Sequence, residues 1–157
     1  MTVYTKENLH SKLEEIYHSI IKDRSGNNDI GLMSGKMGQV LFLFYYTLFK
    51  KDTSLSVKAE ELIHEIVSEI DKGFNLPTFC SGIFGVAWGF DLLKEESFVN
   101  LGTDTFFVEF DGFYDEVVEK HFEIQNFDFL HGYIGLGMYL LKRYQNTNSN
   151  QSQEEYR

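Results

Sequence analysis

The residues of this 157-residue sequence that could do chemistry are few, and three of them lie just before pairs of glycines. Asp128 and His131 precede the third pair, and the single cysteine, Cys80, precedes the second. Histidine titrates near neutral pH, so His131 could carry a proton, although a hydrogen-bonded or solvated loop histidine is the simpler interpretation. Asp128 can be explained as a helix cap, because a carboxylate in front of an apolar helix accepts backbone N–H groups.

Cys80 is the residue that first suggests a metal, because thiolates bind zinc well. One cysteine and five scattered histidines cannot supply a four-ligand structural zinc site, and no histidine lies near Cys80 in the sequence. We therefore interpret Cys80 as a small buried side chain. The other histidines fall on or beside predicted outer helices and are interpreted as structural or surface residues: His10, His18, His64 and His121.

Three segments that could position these residues have the pattern of amphipathic helices. Their apolar residues recur at spacings of three and four, with charged residues between them. The apolar positions are Leu9, Leu13, Ile16, Tyr17, Ile20 and Ile21, then Leu55, Ala59, Leu62, Ile63, Ile66, Val67 and Ile70, and last Phe106, Phe107, Phe110, Phe113, Tyr114, Val117 and Val118. Each segment is predicted to be an outer helix with one solvent-exposed face. In the third segment Gly112 destabilises the helix by about 1 kcal/mol relative to alanine and could break it.

Between and after these segments lie three stretches that are apolar around nearly the whole helix circumference, residues 38–49, 85–93 and 135–141. A helix of this kind is normally covered on all sides. The alternation of one-faced and all-round apolar helices predicts two concentric helix layers. No strand-like alternation of useful length is present, so the sequence predicts an all-α fold.

Each inner stretch begins on a pair of glycines three residues apart, and the pairs form an internal repeat. The steps between the pairs are 82 − 35 = 47 and 132 − 82 = 50 residues, which matches two helices and two loops. Glycines at a first helical turn let backbones approach closely, and we expect them to leave helix N–H groups free toward the centre of a ring. The pairs are Gly35 and Gly38, Gly82 and Gly85, and Gly132 and Gly135.

Around these glycines the sequence resembles the lanthionine-synthetase-C-like family. The similar segments are GLMSGKMGQVLFLFYY at 31–46, FCSGIFGVAWGFDLL at 79–93 and FDFLHGYIGLGMYLL at 127–141, which look like the first three hairpin repeats of that family. The resemblance implies an all-α fold of helical-hairpin repeats that form part of an α/α toroid, with three of about seven hairpins present. It assigns residues 1–145 to the hairpins and leaves residues 146–157 as a polar tail or linker.

The resemblance also implies a chemistry, since the founding members of the family are zinc-dependent cyclases of lantibiotic maturation. There a zinc-bound peptide thiolate adds to a dehydroalanine or dehydrobutyrine, and an acid protonates the enolate. If the resemblance is applied to this sequence, Asp128 would be a carboxylate that handles a proton or orients a histidine, with His131 beside it. Such a role needs a perturbed pKa in a partly closed site. The zinc ligands of the family lie in two late repeats that this chain lacks. We therefore expect no cofactor in this chain, with zinc only in a complete family member, and leave open whether the chain is an enzyme.

Three interpretations of the function follow. The leading one is the amino-terminal portion of a lanthionine-synthetase-C-like protein that acts in peptide modification with the remaining repeats and is not catalytic alone. The alternative is a non-catalytic helical-repeat module that binds a protein or peptide partner. A weaker one, a sugar-processing toroid, requires Asp91 and Asp128 to meet as paired carboxylates.

The composition limits the partners and the compartment. An excess of acidic residues gives a net charge of -10, which repels nucleic acid and anionic membrane surfaces. The longest strongly apolar run, residues 40–49, is half of what a bilayer span needs, and residues 1–12 do not resemble a signal peptide. With one cysteine, a reducing cytoplasm fits best. We expect a cytoplasmic protein with no membrane span and no nucleic acid partner, whose partners are a peptide substrate or the remaining toroid repeats.

A ring that is cut after three hairpins has two open ends. We expect the apolar residues of its first and last inner helices to face water in part, although burying each contributes about 1.5 to 3 kcal/mol. Exposed patches of this kind normally find a partner, so the chain is predicted to self-associate through its open ends or to belong to a longer protein. The residues concerned are Leu41, Phe44 and Tyr45 at one end and Met138, Leu140 and Leu141 at the other.

Overall fold

The computed structural model describes residues 5–22, 28–100, 113–114, 116–120 and 122–146, and within them the fold is all-α. A 3₁₀ turn, Thr53–Ser56, lies between the second and third helices, and the residues described within 113–123 are helical. No β-strand occurs in these ranges, which confirms the predicted fold class. The helices are α1 (Lys6–Lys22), α2 (Lys36–Lys50), α3 (Val57–Asp71), α4 (Ile83–Glu95) and α5 (Tyr133–Asn146).

The three inner helices lie side by side in chain order, as the repeat predicts. Helix α2 packs against α4, and α4 packs against α5, while α1 and α3 both pack on α2. Part of the third outer segment contacts α4, because the rings of Phe113 and Tyr114 lie 6.4 and 5.9 Å from that of Phe84. The other residues on which that prediction rests, including Phe106, Phe107, Phe110 and Gly112, lie outside the described part of the chain, as do His121 and residues 147–157 of the predicted tail.

The two fully described outer helices differ in how firmly they are attached. Helix α3 buries a stripe of four side chains, Ala59, Leu62, Ile63 and Ile66, which is the amphipathic pattern of its sequence. Helix α1 buries only Ile20 and is held on α2 by Tyr17, whose ring stacks on Tyr46 at 5.0 Å. The α1 helix therefore covers one side of α2 with a small apolar contact.

Of the inner helices only α4 is covered on nearly all sides, so the prediction of all-round burial is wrong for α2 and α5. The expected exposure at the ends is confirmed for Tyr45 and Leu141 and is wrong for Phe44, which is buried. The ring of Phe44 stacks at 5.2 Å on Phe98, in the segment after α4, so the second hairpin covers it. The remaining three edge residues, Leu41, Met138 and Leu140, are half-buried.

Most apolar side chains of the helices pack against neighbouring helices. Among the described residues, no helix combines the length and the hydropathy that a membrane crossing requires.

Candidate functional site

Each inner helix begins under a loop that folds back over its first turn. The N–H of Lys36 donates to the carbonyl of Asp29 at 2.9 Å, and the N–H of Ile83 donates in the same way to Leu76 at 2.8 Å. The third junction repeats this bond from Tyr133 to Asn126 at 2.8 Å, again seven residues back. The first helical N–H of each inner helix is therefore satisfied within its loop, contrary to the expectation that it stays free.

The glycine pairs are explained by this close approach. A Cβ on Gly35 would lie 2.6 Å from the carbonyl oxygen of Asp29, and one on Gly132 would lie 2.5 Å from that of Asn126. Real Cβ atoms do not come so close to backbone atoms, so only glycine fits. In every pair the obstructing carbonyl belongs to the residue six positions earlier, which for the other four glycines is Leu32 for Gly38, Leu76 for Gly82, Phe79 for Gly85 and Phe129 for Gly135.

The three loops are also bonded to one another. The N–H of Met33 donates to the carbonyl of Cys80 at 2.8 Å, and the N–H of Cys80 donates to the carbonyl of Leu130 at 3.0 Å. Met33, Cys80 and Leu130 stand at the same place in their repeats, two residues before the first glycine of the pair. These bonds form a loop ladder that joins the amino-terminal ends of the three inner helices and aligns them.

Asp128 and His131 lie together in the third loop, beside the last position of the loop ladder. One carboxylate oxygen of Asp128, Oδ1, accepts the backbone N–H of Leu130 at 2.9 Å and that of His131 at 2.7 Å. The imidazole Nδ1 of His131 lies 3.2 Å from the same oxygen. Asp128 thus caps the loop five residues before α5 begins and not the helix itself.

The hydrogen bonds decide which chemistry this pair can do. The backbone N–H of His131 is the main reason that the pKa of Asp128 lies below its ordinary value, with the N–H of Leu130 acting in the same direction. An ionised carboxylate only accepts hydrogen bonds, so a neutral His131 bonded to it donates from Nδ1 and carries its lone pair on Nε2. The pair can therefore orient the imidazole of His131 through Nδ1, while Asp128 stays charged.

Exposure sets a limit on that chemistry. The side chains of Asp128 and His131 are 54% and 61% exposed, so water surrounds both groups. The sequence prediction placed these candidates in a partly closed site with perturbed pKa values. Of these conditions the described residues provide the pairing and a lowered carboxyl pKa, whereas they do not provide the enclosure.

Cys80 occupies a structural position. It is buried, its Sγ lies 3.3 Å from the hydroxyl of Ser81, and both its backbone groups belong to the loop ladder. This confirms the interpretation of Cys80 as a small buried side chain.

The described residues do not fit a zinc ion. A catalytic zinc needs three protein ligands, and no group of three His, Cys, Asp or Glu side chains comes together in the described ranges. Asp128 and His131 are two potential donors at most, and the carboxylate already accepts two backbone N–H groups. No step of a reaction is therefore assigned to a metal held by these residues.

Asp91 belongs to a different part of the molecule, at the interface between α4 and α5. Its carboxylate accepts from the guanidinium of Arg143 at 3.0 and 3.3 Å, and both side chains are almost completely buried. Arg143 lies ten residues into α5, about 15 Å along the helix from its start, whereas Asp128 precedes that start. Asp91 is buried against Arg143 whereas Asp128 is 54% exposed in the third loop, so the two do not form the paired carboxylates that the sugar-processing interpretation requires.

The sequence prediction missed two features of the site. The loop ladder uses backbone atoms, and its only sequence signal is the shared offset of Met33, Cys80 and Leu130 from the glycine pairs. The pair between Asp91 and Arg143 carries a clearer signal, since a charged residue on an otherwise apolar inner helix needs a partner when it is buried.

Comparison with known proteins agrees with this architecture. Residues 26–156 match a family model described as lanthionine synthetase C-like protein, and this range includes all three glycine pairs. Searches of curated proteins and of solved structures found no match. The family match covers 156 − 26 + 1 = 131 of the 157 residues, well over half of the chain. The chain therefore belongs to the lanthionine synthetase C-like family.

Proposed function

We propose that this chain is the amino-terminal portion of a lanthionine-synthetase-C-like protein that modifies peptides by thioether cyclisation, and that its three hairpins are not catalytic alone. The observation that carries the proposal is the Asp128 and His131 pair, held by three hydrogen bonds at the loop end of the third inner helix. Family membership supports the peptide as the substrate class. The single buried cysteine supports a reducing, cytoplasmic setting.

In this proposal the pair contributes an oriented imidazole. Addition of a thiolate to a dehydroamino acid forms a carbon–sulfur bond and an enolate, which then takes up one proton at carbon. Protonated His131 could give that proton from Nε2, since Asp128 fixes the ring through Nδ1. Enclosure by further hairpins would exclude the water that surrounds the pair here and strengthen this interaction.

The exposure of the pair favours one alternative, a non-catalytic helical-repeat module that binds a peptide or protein. A lowered pKa makes Asp128 a poor proton acceptor at neutral pH, and a permanently charged loop can simply attract a basic partner. The two proposals differ in whether a bound peptide changes chemically.

The test uses a peptide with one dehydroalanine and one cysteine, together with zinc. Cyclisation leaves the mass unchanged, so the loss of free thiol is measured by alkylation and mass spectrometry. We expect no acceleration by the chain alone, and acceleration when the later hairpins of a zinc-containing cyclase are added as a separate polypeptide. In that mixture Asp128→Asn should lower the rate about tenfold or more, because an amide orients His131 less well than a carboxylate.

The matched control is Asp71→Asn, at the exposed end of α3 and outside the third loop, which should leave the rate unchanged. Rapid cyclisation by the chain alone would contradict the claim that it is not catalytic by itself. Peptide binding without cyclisation, even in the complemented mixture, would favour the binding module.

Metal content provides a second test of the proposal. Because the described residues do not supply three ligands, we expect chelator-washed protein to retain no stoichiometric zinc. Elemental analysis of the washed and dialysed chain measures this directly. One tightly held zinc per chain would show that this chain completes a metal site without further hairpins.

A further inference from the structure

One side chain of the third loop binds both ends of the turn that carries Asp128 and His131. The Oδ1 atom of Asn126 accepts the backbone N–H of Asp128 at 3.3 Å, and its Nδ2 donates to the backbone carbonyl of His131 at 3.4 Å. We call these two side-chain bonds the amide clamp. Asn126 is half-buried, whereas the two residues that it binds are exposed.

The amide clamp needs a donor and an acceptor on the same short side chain. The Oδ1 of Asn126 faces an N–H, and its Nδ2 faces a carbonyl. A rotation of the amide by 180° would place two acceptors face to face and two donors face to face, so the partners fix its orientation. A carboxylate of the same shape has acceptors alone and could bind only one end of the turn.

The helix start leaves room for this side chain. A Cβ on Gly132 would lie 2.5 Å from Oδ1 and 2.8 Å from Cγ of Asn126, in addition to its conflict with the carbonyl of the same residue. That carbonyl also accepts the first helical N–H, from Tyr133. The amide clamp therefore lies directly against the first turn of α5 and connects the turn to the helix.

The first loop has a related arrangement with a different result. Its residue at the same place, six positions before the first glycine of the pair, is Asp29, whose Oδ1 accepts the N–H of Gly31 at 2.9 Å. The other oxygen of Asp29 accepts the hydroxyl of Ser34 at 2.7 Å. Ser34 corresponds to His131, so the aspartate of the first loop binds a side chain where the asparagine of the third loop binds a backbone carbonyl. The asparagine thus leaves the imidazole available to Asp128.

The second loop shows that the loop folds without such a side chain. Leu76 occupies the same place, and its backbone carbonyl accepts the N–H of Thr78 at 3.1 Å. The same carbonyl accepts the first helical N–H of α4, from Ile83, at 2.8 Å. A polar side chain at this place is therefore not required to begin an inner helix, so the amide clamp serves the turn in particular.

The bonds that lower the pKa of Asp128 all come from the turn that the amide clamp closes. The backbone N–H of His131 has the largest effect, followed by that of Leu130 and then the imidazole of His131. Each of these donors lies between the two ends that Asn126 binds, or on the residue at one end. Holding both ends keeps the donors in place around one carboxylate oxygen.

We propose that Asn126 is a positioning residue for the Asp128 and His131 pair, whose amide clamp holds the imidazole in the tautomer with its proton on Nδ1. The amide does not titrate, and Asn126 acts only through the turn. The consequence for catalysis rests on the proposed function, whereas the geometry and the tautomer are properties of this chain by itself.

The first test measures the tautomer of His131 in the 157-residue chain by ¹⁵N NMR of the imidazole nitrogens at about pH 9, where an imidazole is neutral. The His131 signals are identified by their absence in His131→Gln. We expect the Nδ1–H tautomer in the native chain, and Asn126→Leu should shift the ratio of the tautomers about threefold or more toward Nε2–H. Asn126→Ser should have a smaller effect, because a hydroxyl can still accept the N–H of Asp128.

The matched control is Asp29→Leu, which removes the corresponding side-chain bonds of the first loop. The second loop has a leucine at this place, so both leucine variants are expected to fold, which circular dichroism checks. Asp29→Leu should lower the midpoint of thermal unfolding about as much as Asn126→Leu and leave the tautomer of His131 unchanged. An unchanged tautomer in Asn126→Leu, or an equal shift in Asp29→Leu, would overturn the proposal.

The second test separates this proposal from the proposed function. In the mixture with the later hairpins of a cyclase, Asn126→Leu should slow cyclisation about threefold or more, in line with the shift of the tautomer. A shifted tautomer with an unchanged rate would support Asn126 as a positioning residue and contradict the catalytic role of the pair. A slower rate with an unchanged tautomer would overturn the positioning role.

Discussion

Helices α4 and α5 begin alike and differ in what lies beside them. Each starts under a loop whose carbonyl accepts the first helical N–H seven residues on, and each has a glycine pair that makes room for that loop. Helix α4 then has an inner helix on either side, whereas α5 has one, within the described part of the chain. As a result Phe84 is fully buried, and Ile134, at the same repeat position, is half exposed.

This comparison shows that the start of an inner helix is determined locally and its burial is not. The loop, the glycines and the first turn lie within ten residues of one another, so each repeat forms them independently. Burial of the following turns depends on a neighbouring repeat, which is the general property of repeat proteins. The same sequence register can therefore produce a fully buried helix or a helix with one exposed face.

The largest expected effect comes from the contact that α4 and α5 share. Asp91→Ala removes the carboxylate that accepts from the buried guanidinium of Arg143, which should lower the free energy of unfolding by about 3 to 5 kcal/mol. Urea denaturation measures this loss. The control is Glu95→Ala in the same interface, where the carboxylate that pairs with Lys142 is half exposed, so the loss should stay below about 1 kcal/mol. Equal losses would contradict the distinction between a buried and an exposed pair.

Replacing a glycine by alanine is expected to change the stability by an intermediate amount, with opposite signs in α4 and α5. Gly85→Ala drives a Cβ against the carbonyl of Phe79 and to 3.0 Å from the Cβ of Leu32, which should destabilise the fold by about 1 to 3 kcal/mol. Gly137→Ala has open space and should stabilise the monomer by up to about 1 kcal/mol. Thermal unfolding at low protein concentration measures both changes. If both variants were destabilised alike, Gly137 would be required inside the folded chain.

The smallest expected effect is a difference between the second and third loops in how their contribution to stability depends on pH. The N–H of Cys80 donates to a backbone carbonyl, which does not titrate, whereas that of Leu130 donates to Asp128. Folding lowers the pKa of Asp128 below its ordinary value of 3.8, mainly through the N–H of His131. Its contribution to stability is therefore complete above that value and is lost as the pH falls through the lower folded-state pKa.

The measurement for this effect is the midpoint of thermal unfolding between pH 2 and 6. The variant Asp128→Asn should have a shallower dependence on pH than the native chain, because an amide keeps an acceptor oxygen that does not titrate. Asp52→Asn is the comparison in another loop, since Asp52 is also exposed and its pKa is lowered by Ser54. An unchanged pH profile in Asp128→Asn would show that its hydrogen bonds do not contribute to stability.

The parts of the fold that could be predicted are those with a local pattern. Spacings of three and four residues predict the outer helices, and the glycine pairs predict where the inner ones begin, because both signals arise within a single turn or loop. The side chains of Asp128 and His131 lie together for the same reason, since they are three residues apart in one turn. The sequence predicts that Asp128 accepts N–H groups of the helix, which is wrong. The carbonyl of Asn126 already accepts the first N–H of that helix, and Asp128 accepts N–H groups of the loop instead.

The parts that could not be predicted join distant segments. Asp91 and Arg143 are 52 residues apart, and nothing local to either identifies the other as its partner. The loop ladder is made by backbone atoms, which leave no trace in residue type. The burial of Phe44 likewise depends on Phe98, which follows a different helix.

The loop ladder also has a consequence for how the length of the chain between repeats can change. Each of its bonds closes a segment of 47 or 50 residues, and the entropy of closure grows only with the logarithm of length, so three extra residues cost less than about 0.1 kcal/mol. The spacing of seven positions between a loop carbonyl and the N–H that it accepts has no such tolerance, since one added residue would move the glycines away from the loop. Insertions are therefore expected in the outer connections, where they leave the alignment of the three loops unchanged.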